Sequence, residues 1–180
     1  MKTLKYFSLF FLAIAFASHS TDQSPEMQSV LNATHAMSTS GYTTMSAITL
    51  ILYNNFLQWS TLNITGFTIF APTDSAFISD ISGKRDIPSS ETIFIHYSTA
   101  YLSLREFGFW PEIPTISLQH NLIITRSFVD SEISICYVKV STPPIYDDGY
   151  IIVYGIKQVF NISFAKEVKS SSNRIVHSEL

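Results

Sequence analysis

The chain is 180 residues long, 46% hydrophobic, 14% aromatic and 14% charged, with a formal charge of −3 and a single cysteine, Cys136. Phe at 14 and Tyr at 9 against Gly at 6 and Pro at 7 supply enough apolar surface to offset the ordering entropy of a core, which excludes a disordered tail or a collagen-like polymer. The lone cysteine excludes an internal disulfide framework, and the acidic balance argues against nucleic acid as a partner.

Lys2 and Lys5 precede an apolar run from Phe7 to Ala17 that is broken only by Ser8. This pattern predicts a signal peptide over residues 1–17 and an exported product. A run of about 11 residues is too short for a bilayer, which takes roughly 20, so no transmembrane helix is expected. Loss of the two lysines brings the mature charge to about −5. An exported domain without disulfides needs a self-sufficient core, and at this length one domain is the default.

Residues 18–40 read as an arm followed by a short helix over 27–37, where Met27, Val30, Leu31 and Met37 approximate helical spacing. Ser40-Gly41-Tyr42 breaks the pattern. A second helix over 45–57 places Ile48, Leu52 and Phe56 on one stripe. From Gly66 an apolar β-type run stops at Pro72, which cannot donate to a ladder. Thr73 or Asp74 then accepts the free N–H groups of a helical turn that Phe77 anchors to the core. Pro88-Ser89-Ser90-Glu91 opens another capped helix, running through Phe94 and His96. Strands are expected at 66–70, 115–118, 122–126, 134–140, 150–153 and 158–160, with turns at Gln119-His120-Asn121 and Tyr146-Asp147-Asp148-Gly149. Cys136 falls inside the fourth strand, sharing a face with Ser134 and Val138, and reads as an inert small hydrophobe.

Thr68-Ile69-Phe70-Ala71-Pro72-Thr73-Asp74-Ser75-Ala76-Phe77 resembles the first signature motif of the fasciclin domain, and 148–160, from Asp148-Gly149-Tyr150 to Gln158-Val159-Phe160, resembles the second. Between them, Ile95-His96-Tyr97 followed by Leu102-Ser103-Leu104 is similar to the family's central histidine motif, with Ile95 where an aromatic residue usually precedes the histidine. The resemblance spans 41–164 and leaves 165–180 as a flexible tail; its flavour is that of plant fasciclin-like arabinogalactan proteins. It implies an α+β fold, a compact β-sandwich wedge of about seven strands with packed helices, in agreement with the elements read above. It also implies a non-catalytic module for adhesion or matrix binding, with His96 and Tyr97 as the adhesion motif. The partners implied are glycans or proteins of the cell wall or extracellular matrix, or a second copy of the domain. Multivalent display would lift a weak pairwise affinity.

The residues carry little that suggests turnover. There is no Gly-x-Ser-x-Gly elbow, His-Glu-x-x-His helix or Walker loop, so an uncharacterised hydrolase is the least supported class. His96, among Ile93, Phe94, Ile95 and Tyr97, reads as a buried structural histidine more readily than as a base. Asp147 and Asp148 read as a solvated turn, since calcium wants about six oxygen ligands and no EF-hand spacing follows. Asp74 reads as a helix cap. No cofactor or metal is expected. Sequons at Asn32, Asn63 and Asn161 are potential N-glycosylation sites in an exported chain. Proline-poor composition argues against heavy arabinogalactan decoration, and the polar carboxyl end lacks the apolar tail of a GPI signal. The alternative to adhesion is a secreted carrier of a glycan or small apolar ligand.

Overall fold

The computed structural model describes residues 24–55, 66–84, 88–117, 119–126 and 133–161. The expected signal peptide, the carboxyl tail and the sequon at Asn63 lie outside them. The fold is mixed α and β, with two four-stranded sheets and helices packed on one of them.

Helix α1 (Pro25–Thr39) starts where Ser24 Oγ accepts the Met27 N–H at 3.3 Å and Pro25 occupies the first turn. Val30, Ala33, Thr34 and Met37, spaced i, i+3, i+4, i+7, form its buried face. It ends in a reversal around Gly41 at φ 86°, with the Tyr42 N–H donating to Met37 O at 3.0 Å. Helix α2 (Thr43–Asn55) follows at once. Helices α3 (Asp74–Lys84) and α4 (Ser90–Phe94) carry their own hydroxyl caps: Thr73 Oγ1 accepts from Ala76 N–H at 3.2 Å and Ser89 Oγ from Thr92 N–H at 3.2 Å.

The first sheet has the order β2 (Tyr97–Ser98), β1 (Phe67–Pro72), β8 (Ile151–Ile156), β7 (Tyr146–Asp147). Its central pair is parallel, in register from Phe67 opposite Ile151 to Pro72 opposite Ile156. Both strands are buried along their whole length, as a parallel pair covered on both faces requires. Alternation divides their side chains. Phe67, Ile69, Ala71, Ile151 and Val153 face α1 and α2, whereas Phe70, Ile152, Tyr154 and Ile156 face the second sheet. That sheet has the order β3 (Glu112–Ile113), β4 (Leu122–Arg126), β5 (Ile133–Ile135), β6 (Val138–Lys139), all antiparallel. Between the sheets the rings of Phe70, Phe107, Tyr154 and Phe160 pack with centroids 5.4 to 6.3 Å apart.

Several expectations need correcting. The strand expected over 134–140 is a hairpin, with Ile135 opposite Val138 and a two-residue loop of Cys136 at φ 48° and Tyr137 at φ 64°. Positive φ at both loop residues matches the right-handed twist of the flanking strands, so geometry overrides the poor fit of these residue types. Segment 158–160 forms no strand, and 115–118 contributes a single bridge, Thr115 to Ser98; Leu118 lies outside the described residues. The helix expected to run through His96 stops at Phe94, and Tyr146–Asp147 pairs as β7 before the turn.

Candidate functional site

The three motif segments converge on His96. Its Nδ1–H donates to Thr92 O at 2.7 Å, the carbonyl that the His96 backbone N–H would take if α4 continued; that N–H goes instead to Ile93 O at 3.1 Å. The imidazole thus ends the helix. Its Nε2 accepts from Phe160 N–H at 3.1 Å, and its ring stacks on Phe160 with centroids 4.9 Å apart. These partners assign the proton to Nδ1. The His96 carbonyl accepts from Phe70 N–H at 2.9 Å. One residue therefore ties the first motif, α4 and the end of the second motif together. Burial lowers its pKa from 6.5 to about 4, outweighing the Thr92 and Ile93 backbone contacts and the charge of Asp80, which work to raise it, so the ring is neutral at neutral pH.

Tyr97 pairs with Ile69 in the sheet, and its hydroxyl meets Thr49 Oγ1 at 3.0 Å. Thr49 spends its own proton on Met45 O at 2.7 Å, so the phenol donates and pins α2 to the sheet. Burial raises the Tyr97 pKa. His96 is 1% and Tyr97 0% exposed, so neither side chain presents a face to an outside partner; what the pair contributes locally is attachment of helices to the central strands.

Asp74 caps a helix, but not its own. Its two carboxylate oxygens accept from Thr43 N–H at 3.0 Å and Thr44 N–H at 2.8 Å, the opening groups of α2. Partial burial works to raise its pKa, but the hydrogen bonds from Thr44 and Thr43 outweigh it and leave the pKa below the usual value. Asp148 Oδ1 accepts from Tyr150 N–H and Ile151 N–H at 2.9 and 2.7 Å, and Asp147 Oδ1 accepts from Gly149 N–H at 3.1 Å. Tyr101 and Tyr146 donate phenol protons to Asp147 and Asp148, both at 2.8 Å. Burial and these carboxylates push both phenols up to about 12. The aspartates are occupied in building the β7–β8 turn. Burial pushes the Cys136 thiol up as well, away from the reactive thiolate. Of the sequons, Asn32 and Asn161 stand exposed.

Sequence reasoning missed a surface groove of about 550 Å³ beside β8. Gly155 forms part of its floor: an added Cβ there would run into the Tyr42 hydroxyl and come within 2.7 Å of Ser141 Oγ. Ser141 donates both its N–H and its hydroxyl to Gly155 O, at 2.9 and 2.8 Å. Tyr137, at the hairpin tip and 66% exposed, forms one wall; Lys139 and Lys157 also line the groove. The available signal was Gly155 itself, since an isolated glycine inside a buried strand marks close approach of another group.

Comparison with known proteins adds a family context. No protein-family model matches the chain. It is 32% identical over 159 residues to fasciclin-like arabinogalactan protein 20 of Arabidopsis thaliana, a match that covers 84% of this chain and 35% of that protein. The chain thus spans about a third of the length of that curated relative. Among solved structures it is similar to a FAS1 domain pair from the insect cell adhesion molecule fasciclin I, at 14% identity and a TM-score of 0.42, covering 75% of this chain and 46% of that one.

Proposed function

This chain is a fasciclin (FAS1) domain, distantly homologous to a plant fasciclin-like arabinogalactan protein, and we propose that it serves as a secreted, non-catalytic adhesion module that binds glycans or proteins of the cell wall or extracellular matrix. The observation that carries this is the 32% match extending over 84% of the chain. Fasciclin domains are associated with cell adhesion and are generally non-catalytic, and plant relatives of this type are usually extracellular. No helix among the described residues is long and apolar enough to cross a membrane. The residues that most resemble catalytic groups, His96, Asp74 and Cys136, are each engaged in holding elements together or buried in a hairpin turn. N-glycans at Asn32, Asn63 and Asn161 belong to the same proposal.

His96 and Tyr97 enter this function as the support of the surface: they hold α4 and α2 in place and leave outward contact to other side chains. The groove beside β8 favours a second reading, a carrier of a glycan or small ligand, because its volume lies in the range of about 300–1,000 Å³ common to ligand sites. Retention of the full secreted chain on insoluble wall material, together with aggregation of beads coated with it, tests the adhesion reading. Failure in both assays beside a positive fasciclin control refutes it.

A further inference from the structure

The turn at residues 104–110 gathers apolar surface that the core does not use. Among the described residues seven large hydrophobic side chains stand exposed, and three of them fall in this one turn: Leu104 at 43%, Phe109 at 82% and Trp110 at 40%. Exposed Gly108 and Pro111 flank the two rings, so no polar side chain directly adjoins them in sequence. Single exposed hydrophobics are ordinary, whereas a cluster marks a contact site. The exposure is built in. Leu102 donates its N–H to Thr68 Oγ1 and accepts from the Tyr154 hydroxyl, both at 2.9 Å. Glu106 opens a short 3-10 turn (Glu106–Gly108), its carboxylate accepting the Ser103 N–H at 2.7 Å and its carbonyl the Phe109 N–H at 2.9 Å. Phe107 is buried against Phe70 and Tyr154, with centroids at 6.3 and 5.4 Å, and beyond Trp110 the chain enters β3, paired with β4. A segment pinned in its middle and tied at both ends holds its rings outward in advance of any partner.

The polar groups around the tip decide what it can meet. Glu106 is turned onto the Ser103 N–H, and Glu112 accepts from the Asn121 side-chain amide at 3.0 Å. Arg105 is exposed and forms no ion pair among the described residues. A sugar stacked on these rings would need hydrogen-bond partners for its hydroxyls, and Gly108 and Pro111 bring no side-chain donor or acceptor. A bilayer interface asks for the opposite: apolar side chains to enter the acyl boundary, an indole whose N–H stays at headgroup depth, and a cation for the phosphate. Leu104, Phe109, Trp110 and Arg105 make up that set.

We propose that the 104–110 turn inserts into the interface of a phospholipid bilayer, with Leu104 and Phe109 in the acyl boundary, Trp110 at headgroup depth and Arg105 on lipid phosphate. The contact is peripheral, in keeping with the absence of a membrane-spanning helix among the described residues. It goes beyond the matrix-binding reading by giving the domain a second face, one for a membrane surface. A single tip of this size binds weakly, and several copies held together bind firmly.

The test is co-sedimentation of the full chain with vesicles of phosphatidylcholine alone and of equimolar phosphatidylcholine and phosphatidylglycerol. The native chain is expected to sediment with both, and more with the anionic ones. Phe109→Ser lowers the partition coefficient by about tenfold or more on either vesicle. Arg105→Gln lowers it by about fivefold on the anionic vesicles only, a difference that raised salt removes. Both positions are exposed, so the urea midpoints stay close to native, and Ile78→Ser, at an exposed position on α3, leaves vesicle binding unchanged. Lipids brominated on the acyl chain quench the native fluorescence, and Trp110→Phe, which leaves one of the two tryptophans, removes the quenched component. No sedimentation with either vesicle, equal partitioning of Phe109→Ser and native chain, or a Phe109 dependence seen only in binding to insoluble β-glucan or in self-association overturns the proposal. Retention on wall material is scored separately. Wall retention by a chain that ignores vesicles removes this inference and leaves adhesion standing, whereas vesicle binding without wall retention does the reverse.

Discussion

Acidification should weaken this domain through His96 at a pH where its carboxylates are still ionised. The folded pKa of about 4 lies below the ordinary histidine value of 6.5, so the unfolded chain takes up the proton first. The stability that His96 contributes by staying neutral is whole above about pH 6.5, falls as pH drops, and is exhausted near pH 4. At 1.36 kcal/mol per pH unit the full loss is about 3 kcal/mol, of which about 2 kcal/mol has gone by pH 5. For a domain of this size that lowers the melting temperature by about 4–8 °C between pH 8 and pH 5. Protonation puts a hydrogen on Nε2, facing the Phe160 N–H that it otherwise accepts, so the damage falls where the end of the second motif joins α4. Urea denaturation of the native chain and of His96→Gln at intervals from pH 8 to 4.5 isolates the effect. The variant starts about 2–3 kcal/mol less stable, having lost a buried hydrogen bond and the stack on Phe160, but its pH slope is flatter by close to one proton. Imidazole titration by NMR reads the same quantity without a mutation. Parallel slopes for the two proteins, or a His96 resonance that titrates near 6.5, would refute the reasoning.

Asp74→Ala removes the acceptors of two α2 N–H groups and should cost about 1–2 kcal/mol by denaturant midpoint, whereas Thr73→Ala, which loses one neutral cap of α3, costs about 1 kcal/mol. Because Asp74 is held below its usual pKa, its contribution is present above about pH 4 and is lost below it, a window distinct from that of His96. Gly155→Ala should destabilise by about 1–3 kcal/mol, and the double variant with Tyr42→Ala should recover part of that, since the clash is with Tyr42 and Ser141; strictly additive losses would place the strain elsewhere. Cys136 should resist iodoacetamide in the native protein at pH 8 and react on unfolding, as followed by intact mass.

What could be read from the sequence was local. The corner from Phe70 through Pro72 to Thr73 announced itself because Pro72 and a capping hydroxyl act within a few residues, and the apolar stripe of α1 follows from helical spacing alone. The role of Asp74 was half legible: a carboxylate after a strand reads as a cap, but the helix it caps begins 31 residues earlier, and only the packed fold brings them together. The Cys136–Tyr137 turn was hidden because its residue types fit a strand and its dihedrals are imposed by the pairing of β5 with β6. The groove was hidden for a third reason. Tyr42, Tyr137, Ser141, Gly155 and Lys157 come from separate elements, and no spacing rule records their proximity.

The pairing of β1 with β8 also sets a timetable for biogenesis. Residues 67 and 151 are partners, so the strand at the centre of the molecule cannot find its neighbour until nearly all of the domain has left the ribosome. During translation at about 5–20 residues per second, the apolar stretch Phe67–Pro72 waits several seconds with its edge unmatched. Under the proposed secretion, late closure of this kind is useful, because a nascent polypeptide that cannot yet lock shut remains threadable through a membrane pore.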